Sequence, residues 1–114
     1  MNNCLFCGIS TKKIPAGIIY EDSEAVAFTD IHPQAPVHVL IIPKKHISTA
    51  LEINPEDNAL IGHLFQIAAK IAKIKGIDRQ GFRLVMNTNA DAGQAVFHIH
   101  VHLLGGRQMH WPPG

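Results

Sequence analysis

His98-Ile99-His100-Val101-His102-Leu103-Leu104, closed by Gly105-Gly106, is the stretch from which the rest of the chain is read. Taken as a strand it alternates faces, setting His98, His100 and His102 on one side and Ile99, Val101 and Leu103 on the other. The apolar side is core. The imidazole side asks for a chemical reason, because histidine has only a modest β preference and Thr or Val would serve a sheet surface better. A metal is one reason, since neutral imidazole is the commonest protein ligand for transition ions. At about 3.3 Å per residue, however, same-face neighbours stand roughly 6.6 Å apart and the outer pair about 13 Å apart. With Zn–N bonds of about 2.1 Å, a straight strand cannot wrap all three imidazoles onto one ion. Catalysis is the other reason: an imidazole with a pKa near 6.5 is largely neutral and nucleophilic near neutral pH, and its neighbours can orient it or move protons. Surface histidines without a role are the third reading, and they fit one histidine far better than a triple so spaced.

The remainder of the sequence bounds the answer. Its 114 residues make a single domain, 1–114, with one core. Hydrophobic residues at 46% and charged residues at 17% are those of an ordinary globular protein. A formal net charge of +1 provides no basic field of the kind nucleic-acid binders carry, so an anionic ligand must be held by a local site. No apolar run approaches the 18 or so residues of a membrane span, and the N-terminus lacks the apolar core of a signal peptide. The expectation is a cytoplasmic protein with neither nucleic acid nor membrane as partner. Both cysteines lie in Cys4-Leu5-Phe6-Cys7, which in a reducing compartment reads as half a metal site or a redox pair rather than a structural disulfide. Zinc would need two further ligands, for which His46 and His98 are candidates; bare buried thiols are the alternative.

Along the chain, residues 4–11 suggest a short helical turn. Ile18–Asp22 and Ala25–Phe28 suggest a hairpin around Glu-Asp-Ser. Asp30–Pro36 is a loop stiffened by Pro33 and Pro36, in which Asp30 could be held in place or could simply form an Asx turn. The near-continuous apolar run His38–Ile42, ended by Pro43, predicts a central strand, and Lys44 and Lys45 beyond it a solvated edge. Asn54 predicts an N-cap with Pro55 at the first helical position. Leu60, Ile61, Leu64, Ile67, Ala68, Ile71 and Ile74 then recur at helical spacing until Gly76 stops the run. His63, within it, reads as a surface or boundary residue. Phe82–Asn87 predicts a strand, Thr88–Gln94 an amide-rich loop able to offer N–H groups to a phosphate, and residues 98–104 the final strand. The order argues for an α+β fold: an antiparallel sheet of about five strands with one long helix and a short N-terminal helix. The tail, 105–114, has no period but carries the sole tryptophan, Trp111, which predicts that it docks on something.

With the histidine stretch, Asp30-Ile31-His32-Pro33-Gln34-Ala35-Pro36-Val37-His38, Ile42-Pro43-Lys44-Lys45-His46-Ile47-Ser48, Gly93-Gln94 and the tail Gly105–Gly114, the chain resembles the histidine-triad family over nearly its full length. Within that family it is most similar to the Hint branch, the histidine triad nucleotide-binding proteins. The resemblance implies a homodimeric purine-nucleoside phosphoramidase that cleaves the P–N bond of adenosine 5′-phosphoramidates and aminoacyl-adenylate-like compounds and releases AMP. It implies His100 as nucleophile, His102 at the α-phosphate, His38 as support for the active imidazole, and His98 as the remaining member of the catalytic set. Asn87 and Gln94 would surround the phosphate, Gly93 and Ala95 would belong to the nucleotide-binding set, Asp30 would accept from the ribose hydroxyls, and Leu5, Phe6, Ile9, Phe28 and Ile31 would wall the base. Trp111 would reach the partner subunit's site. No cofactor would be required for catalysis.

Two positions depart from the Hint pattern. Ala95 stands where Hint members usually carry a serine whose hydroxyl bonds near the scissile nitrogen, which favours a second reading, a nucleotide-binding regulator with slow or vestigial turnover. Cys4 and Cys7 are similar to the zinc-binding cysteines of other histidine-triad proteins, which implies a structural zinc on Cys4, Cys7, His46 and His98. A metalloenzyme with the ion on the triad itself is the third reading, and the strand spacing speaks against it.

Overall fold

A computed structural model describes residues 3–114. The elements are α1 (Leu5–Ser10), β1 (Ile18–Glu21), β2 (Ala25–Thr29), β3 (Val37–Pro43), α2 (Asn58–Ile74), β4 (Phe82–Val85), α3 (Asn89–Ala92) and β5 (Val101–Gly105). The strands form one antiparallel sheet in the order β1-β2-β3-β5-β4, so the apolar run ending at Pro43 is the central strand expected of it. The expected α+β fold is the one found.

Alternation along β2 and β3 explains both faces of that sheet. Ala25, Ala27, Val39 and Ile41 join Ile99, Val101 and Leu103 under Leu64, Ile67, Ala68 and Ile71 of α2. Val26, Phe28, Leu40 and Ile42 point the other way and meet Phe6 and Ile9 of α1. Strands covered on both faces have no need of polar alternation, which is why His38–Ile42 reads as continuous apolarity. Leu40 pairs with His102 in register, so the histidine face is the α1 face.

Local chemistry sets the ends of the elements. Asp22 closes the β1–β2 hairpin by accepting from the backbone N–H groups of Glu24 (2.8 Å) and Ala25 (2.9 Å) through Oδ1. Its Oδ2 accepts from the Tyr20 hydroxyl at 2.9 Å and meets His63 Nε2 at 2.6 Å, so His63 ties α2 to the hairpin. Burial works against the Asp22 carboxylate, yet those hydrogen bonds outweigh it and hold the pKa at about 2. Asn54 starts not the α-helix itself but a 3-10 turn, Pro55–Asp57, that feeds into α2; the Asp57 carboxylate takes the Asn54 N–H at 3.0 Å and Lys45 Nζ at 2.5 Å. Lys44 likewise pairs with Glu21 at 2.8 Å. The two lysines are thus neutralised by acids rather than simply solvated. Gly76, at φ +74, ends the helix as expected.

The final strand is shorter than its sequence predicts. It begins at Val101, and residues 98–100 run into it without ladder pairing. The reason lies across the sheet, where continuing the β3–β5 register would set Ile99 opposite Pro43, which has no N–H to give. Ile99 N donates instead to Ile47 O at 2.7 Å. The loop after β4 also differs, folding residues 89–92 into a helical turn that Gly93, at φ +82, terminates.

The tail lies on its own chain: Arg83 Nη2 donates to His110 O at 2.9 Å, and its guanidinium stands 5.9 Å from the Trp111 ring centroid. Trp111 nevertheless remains 81% exposed. Among the described residues, no helix is long and apolar enough to cross a membrane.

Candidate active site and metal centre

The short unpaired run before β5 gives the histidine stretch two ends with different surroundings. His98 is fully buried, and its Nε2–H donates to Pro43 O at 2.7 Å, which leaves the lone pair on Nδ1. That nitrogen lies 3.4 Å from Cys4 Sγ, 3.5 Å from Cys7 Sγ and 3.2 Å from His46 Nδ1. Cys4 is the N-cap of α1 and takes the Cys7 N–H on its sulfur at 3.3 Å, a geometry that turns both sulfurs toward His98. All four donor atoms fall within 4.8 Å of one another. Two soft sulfurs and two imidazole nitrogens are the donor set of a closed tetrahedral zinc site, and the Pro43 carbonyl is the outer partner that fixes a ligating tautomer. The residues fit the ion.

His100 uses its nitrogens the opposite way. Its Nδ1–H donates to the His98 backbone carbonyl at 2.8 Å, which leaves the lone pair on Nε2. Phe6 stands perpendicular to the ring with centroids 5.0 Å apart, so α1 packs against this imidazole as well as against His98. His38 Nδ1 accepts from Gln34 N at 3.0 Å, which puts the proton on Nε2, facing His102 Nδ1 at 2.9 Å and Asp30 Oδ2 at 3.4 Å. His102 therefore carries its proton on Nε2, an atom that is buried and has no hydrogen-bond partner among the described residues. Burial lowers the pKa of His38, His98 and His100. Burial, and then the neighbouring His100 and His38, take His102 down to about 4. All four rings are neutral near pH 7. The arrangement offers one unprotonated nitrogen, His100 Nε2, and one unspent donor, His102 Nε2–H, on adjacent rings whose centroids are 4.9 Å apart.

The other expected site residues fall into two groups. Asp30 reaches the cluster through Oδ2 while Oδ1 accepts from His32 N at 2.8 Å. Phe6, Ile9 and Phe28 are buried beside the imidazole face, whereas Leu5 and Ile31 are exposed. Asn87 is half-buried at the exit of β4, and Ala95 is exposed. Gln94 is occupied by backbone groups of its own loop and of the segment after β3: Nε2 donates to Val96 O (3.1 Å) and Ser48 O (2.8 Å), and Oε1 accepts from Asn89 N (2.8 Å). It holds the segment entering the histidines in place. Sequence reasoning missed Pro43 O, the His98 carbonyl and Gln34 N–H, which assign the tautomers. These are backbone groups, which leave no mark in a side-chain pattern.

Comparisons with known proteins place the chain in a family. A model of the HIT domain matches residues 11–109. An uncharacterised HIT-like protein of Synechocystis sp. is 53% identical over 96% of each chain. Among solved structures, a HIT family hydrolase from Legionella pneumophila Philadelphia 1 is 54% identical over 98% of this chain and 100% of that one, with a TM-score of 0.97. A histidine triad nucleotide-binding protein from Candida albicans is 30% identical over 96% of this chain and 83% of that one, with a TM-score of 0.83. With the family model matching residues 11–109 of the chain and relatives identical at about half their positions, this chain belongs to the HIT domain family.

Proposed function

We propose that the protein is a purine-nucleoside phosphoramidase of the Hint type, hydrolysing the P–N bond of adenosine 5′-phosphoramidates and related aminoacyl adenylates to AMP. The observation that carries the reading is the tautomer pair, with His100 Nε2 unprotonated beside a buried His102 Nε2–H that has no partner among the described residues. In the first step the His100 Nε2 lone pair attacks the α-phosphorus and the P–N bond breaks, the amine taking up a proton from solvent as it leaves. His102 Nε2–H donates to a phosphate oxygen. The ring becomes a nucleotidyl-imidazolium whose charge the His98 carbonyl stabilises through Nδ1–H. Water then attacks phosphorus and gives up a proton to solvent, the Nε2–P bond breaks to return the neutral His100 imidazole, and AMP is released. Asp30 Oδ2 accepts from the ribose, and Leu5, Phe6, Ile9, Phe28 and Ile31 enclose the base.

Catalysis in this scheme requires no cofactor. Zinc, if bound, would be held by Cys4, Cys7, His46 and His98 and would be structural, because four protein donors leave no open position. It would clamp α1, and hence Phe6, against the triad. Thiolate ligands persist where disulfides do not, which favours a reducing, cytoplasmic location. The exposed Trp111, the edge strand β4 and the exposed Phe65 and Ile74 of α2 support a homodimer in which the tail meets the partner's site.

A second reading, a nucleotide-binding regulator with little turnover, is favoured by Ala95 alone. Steady-state hydrolysis of an adenosine 5′-phosphoramidate by wild type, His100→Ala and Ala95→Ser, with metal content measured in the same preparations, separates the two. Turnover by wild type that vanishes in His100→Ala supports the phosphoramidase. Tight AMP binding with turnover only in Ala95→Ser supports the binder.

A further inference from the structure

The tail touches the loop behind His38 through Arg107. Its Nε and Nη2 both donate to Gln34 O, each at 3.1 Å, while Nη1 donates to Gln108 O at 3.1 Å. Gln34 lies between Pro33 and Pro36 and turns its peptide groups in two directions, the carbonyl toward Arg107 and the N–H toward His38 Nδ1 at 3.0 Å. Its side chain donates to His32 O at 3.0 Å and plays no part in either contact. From His38 the chain of hydrogen bonds continues through Nε2 to His102 Nδ1 at 2.9 Å and ends at the buried His102 Nε2.

We infer that Arg107 is a positioning residue for the triad: by holding Gln34 O it keeps Gln34 N–H on His38 Nδ1, and so keeps the His102 proton on Nε2. The use made of that proton rests on the phosphoramidase reading; the tautomer chain does not. Without the guanidinium the loop loosens, and the His38 ring gains access to the form protonated on Nδ1. His38 Nε2 is then an acceptor, His102 answers it by carrying its own proton on Nδ1, and His102 Nε2 turns a lone pair toward the phosphate. Asp30 Oδ2, 3.4 Å from His38 Nε2, still favours the original form, so the population shifts without inverting. A lysine at 107 supplies one directed donor where the guanidinium fork supplies two.

The test is to record imidazole ¹⁵N–¹H spectra of the resting full-length protein for wild type, Arg107→Ala and Arg107→Lys, alongside adenosine 5′-phosphoramidate kinetics. In Arg107→Ala we expect the His38 and His102 Nδ1 signals to move from acceptor-type toward tautomer-averaged shifts. With them kcat should fall about three- to thirtyfold and KM change by less than about threefold. Arg107→Lys should recover part of both. Unchanged imidazole signals in Arg107→Ala overturn the inference whatever the rate does, and a tautomer shift with kcat intact overturns the part given to the His102 proton in the reaction. If wild type does not turn over the phosphoramidate, the phosphoramidase reading falls, while the spectra still decide whether Arg107 governs the tautomers.

Discussion

His98 and His100 are separated by one residue, yet they turn opposite ring nitrogens to different surroundings. His98 gives its Nε2–H to Pro43 O and presents Nδ1 to two sulfurs and His46, whereas His100 gives its Nδ1–H to His98 O and keeps its Nε2 lone pair on a ring that neighbours His102. Both are buried and both have lowered pKa values, so neither residue type nor electrostatic environment separates their tasks. The backbone carbonyl each meets does so. The two clusters also share one hinge, because the residue whose ring faces the cysteines is the residue whose carbonyl orients the His100 ring.

The comparison is most severely tested by His100→Ala. Loss of the nucleophile should lower kcat by on the order of a thousandfold or more while leaving bound zinc, measured by elemental analysis, unchanged. A matching loss of metal would mean that the clusters are one site. The complementary change is the double variant Cys4→Ser, Cys7→Ser. It should abolish stoichiometric zinc and reduce unfolding free energy by about 3–4 kcal/mol when metal exceeds its dissociation constant by two to three orders of magnitude. Activity should fall by less than about tenfold, since the His98 carbonyl is retained.

Protonation sharpens the same contrast. Burial lowers the pKa of His100 and, with the neighbouring His100 and His38 imidazoles, takes His102 to about 4, so both stay neutral below the ordinary value. A pH profile of kcat/KM should keep its plateau below about pH 6.5 and then fall about tenfold per unit as the lowered pKa is crossed. Stability follows the same sign. Between the unfolded value near 6.5 and about 4 the unfolded chain binds a proton that folded His102 refuses, so denaturant midpoints should decline through that window and not above it. The smallest effect belongs to Ala95→Ser. The position is exposed, so a hydroxyl there has room to meet the leaving nitrogen, and kcat should rise by up to about tenfold with zinc content unaffected.

Much of this was readable from residue order alone. The long helix followed from its apolar spacing and the glycine that ends it, the central strand from a run that tolerates no polar face, and the triad from three histidines at alternate positions. Partner assignments were less accessible. Gln94 carries the amide chemistry of a phosphate contact but spends it on Ser48, Val96 and Asn89, because a buried carboxamide takes the backbone groups nearest to it. The histidine strand stops early because the residue that would continue its ladder is a proline in another strand.

By itself, then, the sequence determined which side chains could do chemistry and on which face of the sheet they would gather, since periodicity and residue type act locally. Tertiary structure decided which nitrogen of each ring is available. A histidine has two nearly equivalent nitrogens, and the choice between them is made by a hydrogen-bond partner that folding delivers from elsewhere: Pro43 for His98, and the Gln34–His38 relay for His102. The cysteines lie more than ninety residues from His98 in the chain and 3.4–3.5 Å from it in space, a proximity that no local pattern encodes.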